Sequence, residues 1–393
     1  MRWLVLSLLA TMLAVGTAQA QTPLTIKIGV IRQTHSRQTI SLLDIPAKDD
    51  VIAGAMLGIA DSNSTGKFTG QNFELTDIKL NANEGIAAAV QTLDSAHIVL
   101  VIADLPAALL LELTHTAPQL LIFNASAGDE SLREQDCRAN IIHIAPSHSM
   151  RADAVVQYLV WRQWKKALLI KGSHPQDELL AKAYRDGAKK FGLAIVEERI
   201  FTDTGGSRRT DSGSVQAQRQ MPVLTQSAPA YDVVIAADES QVFAGYLPYR
   251  TWDARPVVGS AGLVPTSWDP THEQWGAAQL QNRFNAMFKH PMNERDNNAW
   301  LGARMIGEAA TRLASSDPVA LRALMISPEF SVAAFRGEKL SVRSWNQQVR
   351  QPILLGDGRT IVSVSPQEGF LHQTTQLDTL GIDQPATKCS LRP

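Results

Sequence analysis

The feature that most constrains this chain is a repeated alternation of short β-branched or aliphatic runs with longer stretches of helical spacing. In the first part of the chain the runs lie at 25–31, 74–80, 98–103 and 120–123. Apolar residues at helical spacing fill the intervals. Most of the runs are apolar almost throughout, which is typical of strands buried on both faces of a parallel sheet. The pattern predicts right-handed βαβ units and therefore an α/β fold with a helix-covered parallel sheet.

The same alternation restarts after Pro146. Helical stretches at 149–164 and 176–191 alternate with strand-like runs at 167–170 and 193–201. Further runs at 233–237 and 256–260, long helical stretches and a C-terminal hairpin signal complete the chain. The sequence thus predicts two successive α/β units of similar design.

The first twenty residues differ from the rest of the chain. Arg2 is followed by an apolar run over 3–16 and by a small-x-small end at 18–20. This pattern predicts a secretory signal peptide, residues 1–20, cut after Ala20. An uncleaved anchor is the alternative, although the run is shorter than the roughly 20 residues that span a bilayer. We expect the mature chain, 21–393, to be exported and to lack a membrane-inserted segment.

Composition excludes some partners and leaves one covalent question open. The chain has 37 Lys+Arg and 38 Asp+Glu, a net charge of −1, so it has no basic domain for nucleic acid. Its two cysteines, Cys137 and Cys389, are a candidate disulfide in an oxidising compartment, and two separate buried thiols are the alternative. Their spacing excludes CxxC-type redox or zinc chemistry.

Motifs of catalysis and metal binding are missing from the sequence. No P-loop occurs, and Gly29 does not begin a Gly-x-Gly-x-x-Gly turn. Residues 124–128 are the nearest match to a serine-hydrolase elbow, but they lack its first glycine. His143 and His148 have no second pair of metal ligands. We therefore predict neither an enzyme nor a catalytic cofactor or metal.

Polar residues that follow the predicted strands are the candidate ligand-binding residues, because ligands of parallel α/β sheets bind outside the carboxyl ends of the strands. Arg32, His35 and Arg37 follow the first strand and suit a carboxylate-rich ligand. An exposed basic loop is the alternative. The other candidates at strand ends or in adjoining turns are Asp104, Asn124, Ser126, Lys171, Asp238 with Glu239, and Ser260.

Tryptophans are concentrated between positions 252 and 300. Trp275 and Trp300 fall in helical stretches, where core packing is expected. Trp252 and Trp268 fall in predicted loops and are candidates for stacking on a flat ligand.

Several segments resemble the type I periplasmic solute-binding proteins of the leucine/isoleucine/valine-binding family. They are the TIKIGV strand at 25–30 and the segments 81–103, 122–126 and 166–192. Three C-terminal segments, 350–355, 363–373 and 377–381, resemble the branch associated with PQQ-dependent alcohol dehydrogenase systems, where PQQ is pyrroloquinoline quinone.

This resemblance implies a two-lobed fold in which a parallel sheet flanked by helices forms each lobe. Lobe 1 is predicted over 21–145 and 257–330, lobe 2 over 146–256 and 331–370, and a C-terminal tail over 371–393. The three hinge crossovers are expected near Pro146, Pro256 and Ser331. Solute would bind in the cleft between the lobes.

The resemblance also implies a ligand and partners. PQQ or a related carboxylated solute would meet Arg32, Arg37, Arg151 and Lys171, for delivery to an ABC transporter or a PQQ-dependent dehydrogenase in the periplasm. One alternative is a branched-chain amino acid or other small organic acid, with Ser126 on its carboxylate and Asp238 or Glu239 on its ammonium. Another is an extracytoplasmic sensor domain.

Overall fold

Two parallel sheets, each with helices on its faces, form the body of the protein. The computed structural model describes residues 23–33, 47–203 and 211–391, without the side chains of 211–216. The predicted signal peptide at 1–20 and the candidates His35 and Arg37 lie outside the described residues.

The first sheet has five parallel strands in the order β2-β1-β3-β4-β5. The strands are β1 (Leu24–Gln33), β2 (Gln71–Leu80), β3 (Leu100–Asp104), β4 (Leu121–Asn124) and β5 (Ile141–His143). The connecting helices are α1 (Ile52–Thr69), α2 (Ala87–Ala96) and α3 (Ala107–Thr116). Strands and helices alternate here as the sequence predicts.

The second sheet repeats the design with the order β7-β6-β8-β9, again parallel. Its strands are β6 (Lys166–Lys171), β7 (Ala194–Ile200), β8 (Val233–Ala237) and β9 (Val257–Gly259). The accompanying helices are α4 (His148–Trp161), α5 (Pro175–Phe191), α6 (Asp211–Thr225) and α7 (Leu247–Arg250).

The rest of the chain returns to the first unit and then to the second. The elements in order are β10 (Val264–Thr266), α8 (Ala277–Phe288), α9 (Glu294–Leu313), α10 (Pro318–Met325), β11 (Val332–Ala333), β12 (Lys339–Val342), β13 (Val349–Arg350), β14 (Ile353–Gly356) and β15 (Ile361–Ser365). β10, β14 and β15 form one antiparallel sheet, and β11, β12 and β13 form another.

Buried side chains assign these late elements to the two lobes. Trp268, Leu280, Trp300 and Val349 are buried in one core with β1 and β3 of the first sheet. Ile353 and Leu355 are instead buried in the core of the second sheet, with α4 and α5. The crossovers after β5 therefore lie between Thr266 and Trp268 and between Val349 and Ile353.

These positions differ from the expected crossovers near Pro256 and Ser331. β9 pairs with β8 at Val234 and Val257, so it extends the second sheet and does not belong to lobe 1. β11 to β13 bury Val332 and Leu340 in the core of the first sheet, so they do not belong to lobe 2. Packing decides both assignments, because these strands have two to four residues and little pattern of their own.

Close contact between α1 and α9 fixes the helical layer of lobe 1. A Cβ atom added at Gly54 would lie 1.8 Å from the carbonyl oxygen of Asp296, and one at Gly58 would lie 2.7 Å from Cβ of Ala303. Only glycine permits this approach of two helix backbones. The contact holds the first turn of α9 beside the amino end of α1.

The C-terminal tail is joined covalently to lobe 1. Cys137 and Cys389 form a disulfide with a Cα–Cα distance of 5.6 Å across a sequence separation of 252. Among the described residues, no helix is both long and apolar enough to cross a membrane.

Candidate functional site

The carboxyl ends of the two sheets bring polar side chains of both lobes toward the crossovers. In lobe 1 these ends are Asp104 on β3 and Asn124 on β4, and in lobe 2 they are Lys171 on β6 and the residues after Ala237 on β8. Parallel strands place such ends at one edge of a sheet. We call the facing edges the interlobe cleft.

Asn124 builds the turn that follows β4. Its side chain is buried, and its Oδ1 accepts the backbone N–H groups of Ser126 at 3.2 Å and Ala127 at 2.9 Å. Its Nδ2 donates to the carbonyl of Ala127 at 2.8 Å. The Asn124 amide is thus used within the turn, whereas Ser126 remains partly exposed at its tip. Ser126 is the better ligand candidate of the two.

His148 connects this turn to the second lobe. Its backbone N–H donates to the carbonyl of Gly128 at 2.9 Å, and a Cβ on Gly128 would lie 3.1 Å from the imidazole ring. The side chain is 8% exposed, and its Nε2 lies 4.0 Å from Oε1 of Glu239, just after β8. His148 therefore lies between the strand ends of the two lobes.

Arg151 forms an ion pair between the lobes. Its guanidinium donates to Oε2 of Glu294 at 2.8 Å and to the carbonyl of Pro265 at 2.9 Å. Glu294 Oε1 accepts the backbone N–H of Ser267 at 2.6 Å. Burial by itself would raise the pKa of Glu294, but Arg151 and Ser267 hold that pKa below its usual value. Arg151, expected to meet a ligand carboxylate, is neutralised by the protein itself.

The other two described cations of the predicted anion site are also neutralised. Nε and Nη2 of Arg32 donate to the two carboxylate oxygens of Asp77, both at 2.8 Å. Lys171 forms ion pairs with Glu178 and, at 2.9 Å, with Glu198. Both side chains serve their own lobe.

Asp238 and Ser260 organise the loops of the second sheet. The Asp238 carboxylate accepts backbone N–H groups of Val242 at 2.9 Å and of Phe243 and Ala244 at 2.7 Å. Oγ of Ser260 accepts the backbone N–H of Asp238 at 2.9 Å. Asp238 is 1% exposed, and burial raises its pKa. These two residues shape the loop that presents Glu239.

Neither candidate tryptophan lies in the cleft. Trp268 is 2% exposed within the core of lobe 1. Trp252 is 62% exposed, but it comes shortly before β9, and its backbone N–H donates to Oγ1 of Thr225 at the end of α6. That is the amino edge of the second sheet, opposite the cleft.

Arg295 is a cleft residue that strand-end reasoning does not find. Its Nη1 lies 3.6 Å from Oδ2 of Asp104 and 3.8 Å from Oδ2 of Asp50. Within the described part of the chain, its guanidinium forms no hydrogen bond. Glu239 is comparable in the opposite lobe, since its side chain is 49% exposed and its nearest ionic partner among the described residues is His148.

The start of α9 explains why Arg295 reaches the cleft. Asn293 caps the helix by accepting the backbone N–H of Asp296 at 2.9 Å. Asp296 in turn accepts the backbone N–H of Val51 at 2.8 Å, which joins α9 to the start of α1. Burial, together with the nearby Asp50, raises the pKa of Asp296 to about 8.

Comparison with known proteins adds a family and a fold to this geometry. Residues 25–220 match the family model of the periplasmic binding proteins. This part of the chain belongs to the periplasmic binding protein family. The chain as a whole has the two-lobed α/β fold of type I periplasmic binding proteins. A search of curated proteins finds no match to the chain.

Solved structures of binding proteins share this fold at low sequence identity. An amino acid ABC transporter substrate-binding protein of Pseudomonas fluorescens Pf-5 has a TM-score of 0.68 at 11% identity, covering 93% of this chain and 99% of that one. A solute-binding protein of R. palustris in complex with benzoate has a TM-score of 0.65 at 12% identity, covering 93% and 100%. A branched-chain amino acid transporter substrate-binding protein of Streptococcus pneumoniae in complex with isoleucine has a TM-score of 0.63 at 15% identity, covering 86% and 98%.

The sequence holds a weak signal for Arg295. The Asn-x-x-Asp pattern at 293–296 is a helix-start signature, which predicts that Arg295 lies in a first turn. Nothing in the pattern indicates which strand ends that turn would face. The contact between α1 and α9 decides this, and it depends on residues about 240 positions apart.

Proposed function

We propose that this periplasmic binding protein captures a small carboxylated solute in the interlobe cleft and presents it to an ABC-type membrane transporter. The proposal rests on two charged side chains, Arg295 in lobe 1 and Glu239 in lobe 2. Neither forms a hydrogen bond within the described residues. A guanidinium binds a carboxylate strongly and directionally. Hinge closure would bring the two groups toward one bound solute.

The charge balance beside Arg295 favours a solute with one carboxylate. Oδ2 of Asp50 lies 3.8 Å from Nη1 of Arg295, so a ligand with several carboxylates would also meet this negative charge. Arg32, Arg151 and Lys171 already donate hydrogen bonds to carboxylates and add little net positive charge, whereas the carboxylates near Arg295 lie beyond hydrogen-bond distance. The charges of the described residues therefore favour an amino acid or a small organic acid over a planar tricarboxylate.

Glu239 would distinguish an amino acid, which has an ammonium group, from an organic acid without one. A carboxylate on the second lobe suits the ammonium of an amino acid, and a partly exposed hydroxyl at Ser126 suits its carboxylate. The structural neighbours bound to isoleucine and to benzoate are examples of both ligand types in the same fold. Micromolar affinity corresponds to about −8 kcal/mol, which one charge-assisted pair and a buried apolar body can supply.

PQQ as ligand and a PQQ-dependent dehydrogenase as partner stay predictions of the C-terminal resemblance. Neither Trp252 nor Trp268 supports stacking on a planar ring in the cleft. Export likewise stays a prediction, made from the leader at 1–20. A periplasmic location agrees with the matched family. Binding without chemical conversion is the proposed activity.

A thermal-shift screen of ligand-stripped protein tests the proposal. Protein refolded from denaturant would be scanned with leucine, isoleucine, benzoate and PQQ. A solute present at 100 times its Kd stabilises the native state by about 2.7 kcal/mol and raises the Tm. The proposal expects stabilisation by an amino acid or benzoate. Stabilisation by PQQ alone would reverse the ligand preference, and no response to any monocarboxylate in a wider panel would contradict the proposed function.

A further inference from the structure

Residues 376–389 of the C-terminal tail contact both lobes beside the hinge. We propose that this tail is a strap, closed by the Cys137–Cys389 disulfide, that limits how far the lobes separate in the ligand-free protein. The crossovers form the hinge itself, whereas the strap joins the lobes along one side of it.

The strap is first attached to lobe 2. The backbone N–H of Gly381 donates to Oδ2 of Asp153 on α4 at 2.8 Å. Nζ of Lys190 on α5 donates to the carbonyls of Thr379 at 2.8 Å and Gly381 at 2.9 Å. Leu380 is fully buried in the core of lobe 2. These contacts make residues 379–381 part of the second lobe.

A buried arginine of lobe 1, beside the crossover after Val349, also holds these residues. Arg343, in the connection between β12 and β13, is 1% exposed and donates to Oδ1 of Asp378 at 2.8 Å and to the carbonyl of Leu380 at 2.7 Å. Arg350 also donates to Asp378, at 2.9 Å. A buried carboxylate between two guanidiniums is costly to separate. This end of the strap therefore stays in place when the lobes move.

The strap is then attached to lobe 1. Glu134, in the segment between β4 and β5, accepts from Oγ1 of Thr387 at 3.0 Å and from the backbone N–H of Lys388 at 2.9 Å. The next residue, Cys389, is bonded to Cys137 in the same segment. The disulfide keeps Thr387 and Lys388 beside Glu134 at a high effective concentration.

A cavity beside the strap explains why the strap would restrict opening of the lobes more than their closure. It measures about 410 Å³ and lies among Glu130 of lobe 1, Leu179 and Lys182 of α5, and Ile382 of the strap. Approach of the lobes can use this space without stretching the tail. Separation pulls the anchor at Glu134 away from the anchor at Asp153. The strap accordingly resists opening more than closing.

The strap is also sensitive to reduction. Cys389 is only partly buried, so a small reductant can reach the disulfide. Once the bond is broken, this end of the tail is held among the described residues by hydrogen bonds alone: those to Glu134 and that from the backbone N–H of Leu391 to Sγ of Cys137. The ligand-free protein should then sample wider openings, and ligand affinity should fall because closure starts from a more open ensemble.

Small-angle scattering of ligand-free, full-length mature protein tests the strap without any ligand, so its outcome is independent of the proposed function. The variants are C137S/C389S, which lacks the covalent closure, and E134A, which keeps the disulfide and lacks the hydrogen bonds. Ser390→Ala is the matched control beside the disulfide. We expect the radius of gyration to increase in the order S390A, E134A, C137S/C389S.

Folding is checked by circular dichroism and thermal melting of each variant. An unchanged radius of gyration in folded C137S/C389S and folded E134A would overturn the proposal. If the cysteine variant does not fold, E134A decides, together with wild-type protein reduced in the folded state. No increase in either of them would then reject the strap.

Discussion

At the carboxyl edge of each sheet a buried polar side chain accepts backbone hydrogen bonds from the loop that follows a strand, but the residue differs between the lobes. In lobe 1, the buried Asn124 at the end of β4 holds a turn, and the partly exposed Ser126 follows two positions later. In lobe 2, Asp238 directly after β8 is used to hold a loop, and the exposed Glu239 follows one position later. In both lobes the polar residue at the strand end thus organises the backbone, and a more exposed polar residue follows within two positions.

The two edges differ in where their positive charge comes from. In lobe 2 the strand-end cation, Lys171, pairs with Glu178 and Glu198 of the same lobe. In lobe 1 the strand-end cation, Arg32, pairs with Asp77, and a helix from far along the chain supplies Arg295 instead. The comparison teaches that the charge available to a ligand is set by tertiary packing more than by strand position.

The largest expected effect concerns the ion pair that joins the two edges. Replacing Glu294 by Ala leaves Arg151 partly buried without its carboxylate. We expect a loss of about 3 kcal/mol in the free energy of unfolding, at the lower end for a buried pair because both side chains are 22% exposed. Urea denaturation measures this loss. Glu308→Ala on the same helix is the control, and an equal loss in both variants would contradict a special role for the Arg151–Glu294 pair.

A second prediction sharpens the contrast between neighbours in lobe 2. Asp238→Ala removes the acceptor of three backbone N–H groups, so we expect a loss of about 2 kcal/mol in the free energy of unfolding. Glu239→Ala should change that free energy by less than about 0.5 kcal/mol, as is usual for an exposed side chain. The two denaturation midpoints check this directly. Equal losses for the two variants would mean that the division of roles is wrong.

A third prediction is a pH dependence from Asp296 at the edge of lobe 1. Burial raises its pKa to about 8 in the native state, while an unfolded Asp has a pKa of about 3.9. Between these values the native state holds a proton that the unfolded state has released, so this contribution to stability declines as pH rises from the unfolded pKa to about 8, and the decline levels off above about 8. Asp296→Asn should flatten the decline measured by thermal melts from pH 5 to 9. The exposed Asp94→Asn should leave it unchanged, and an unaltered decline in Asp296→Asn would exclude this assignment.

Much of the fold could be predicted from the sequence because parallel strands and their helices carry strong local patterns. The runs at 25–31, 98–103 and 233–237 correspond to β1, β3 and β8. The predicted positions of the crossovers after β5 were wrong, because β9 and β11 are short strands and packing determines which lobe they join. The hydrophobic pattern of two or three residues does not indicate in which core such a strand is buried.

The site was less predictable for a related reason. Strand-end reasoning indicates the loops that carry Ser126 and Glu239, since both residues follow predicted strands. It does not reveal that Arg32, Lys171 and Asp238 are used by partners up to 45 positions away. Arg295 depends on the close approach of α1 and α9 at Gly54, which no local pattern expresses.

The central claim is that Arg295 holds the carboxylate of a small solute in the cleft. Its most direct test is calorimetric titration of ligand-stripped wild type, Arg295→Gln and Arg304→Gln with the best monocarboxylate from the thermal screen. Arg304 lies about 13 Å further along the same helix and serves as the matched control. We predict that Arg295→Gln raises the Kd about 10- to 100-fold, as expected for losing a charged hydrogen bond, and that Arg304→Gln leaves it unchanged. Equal Kd values for wild type and folded Arg295→Gln would contradict the claim.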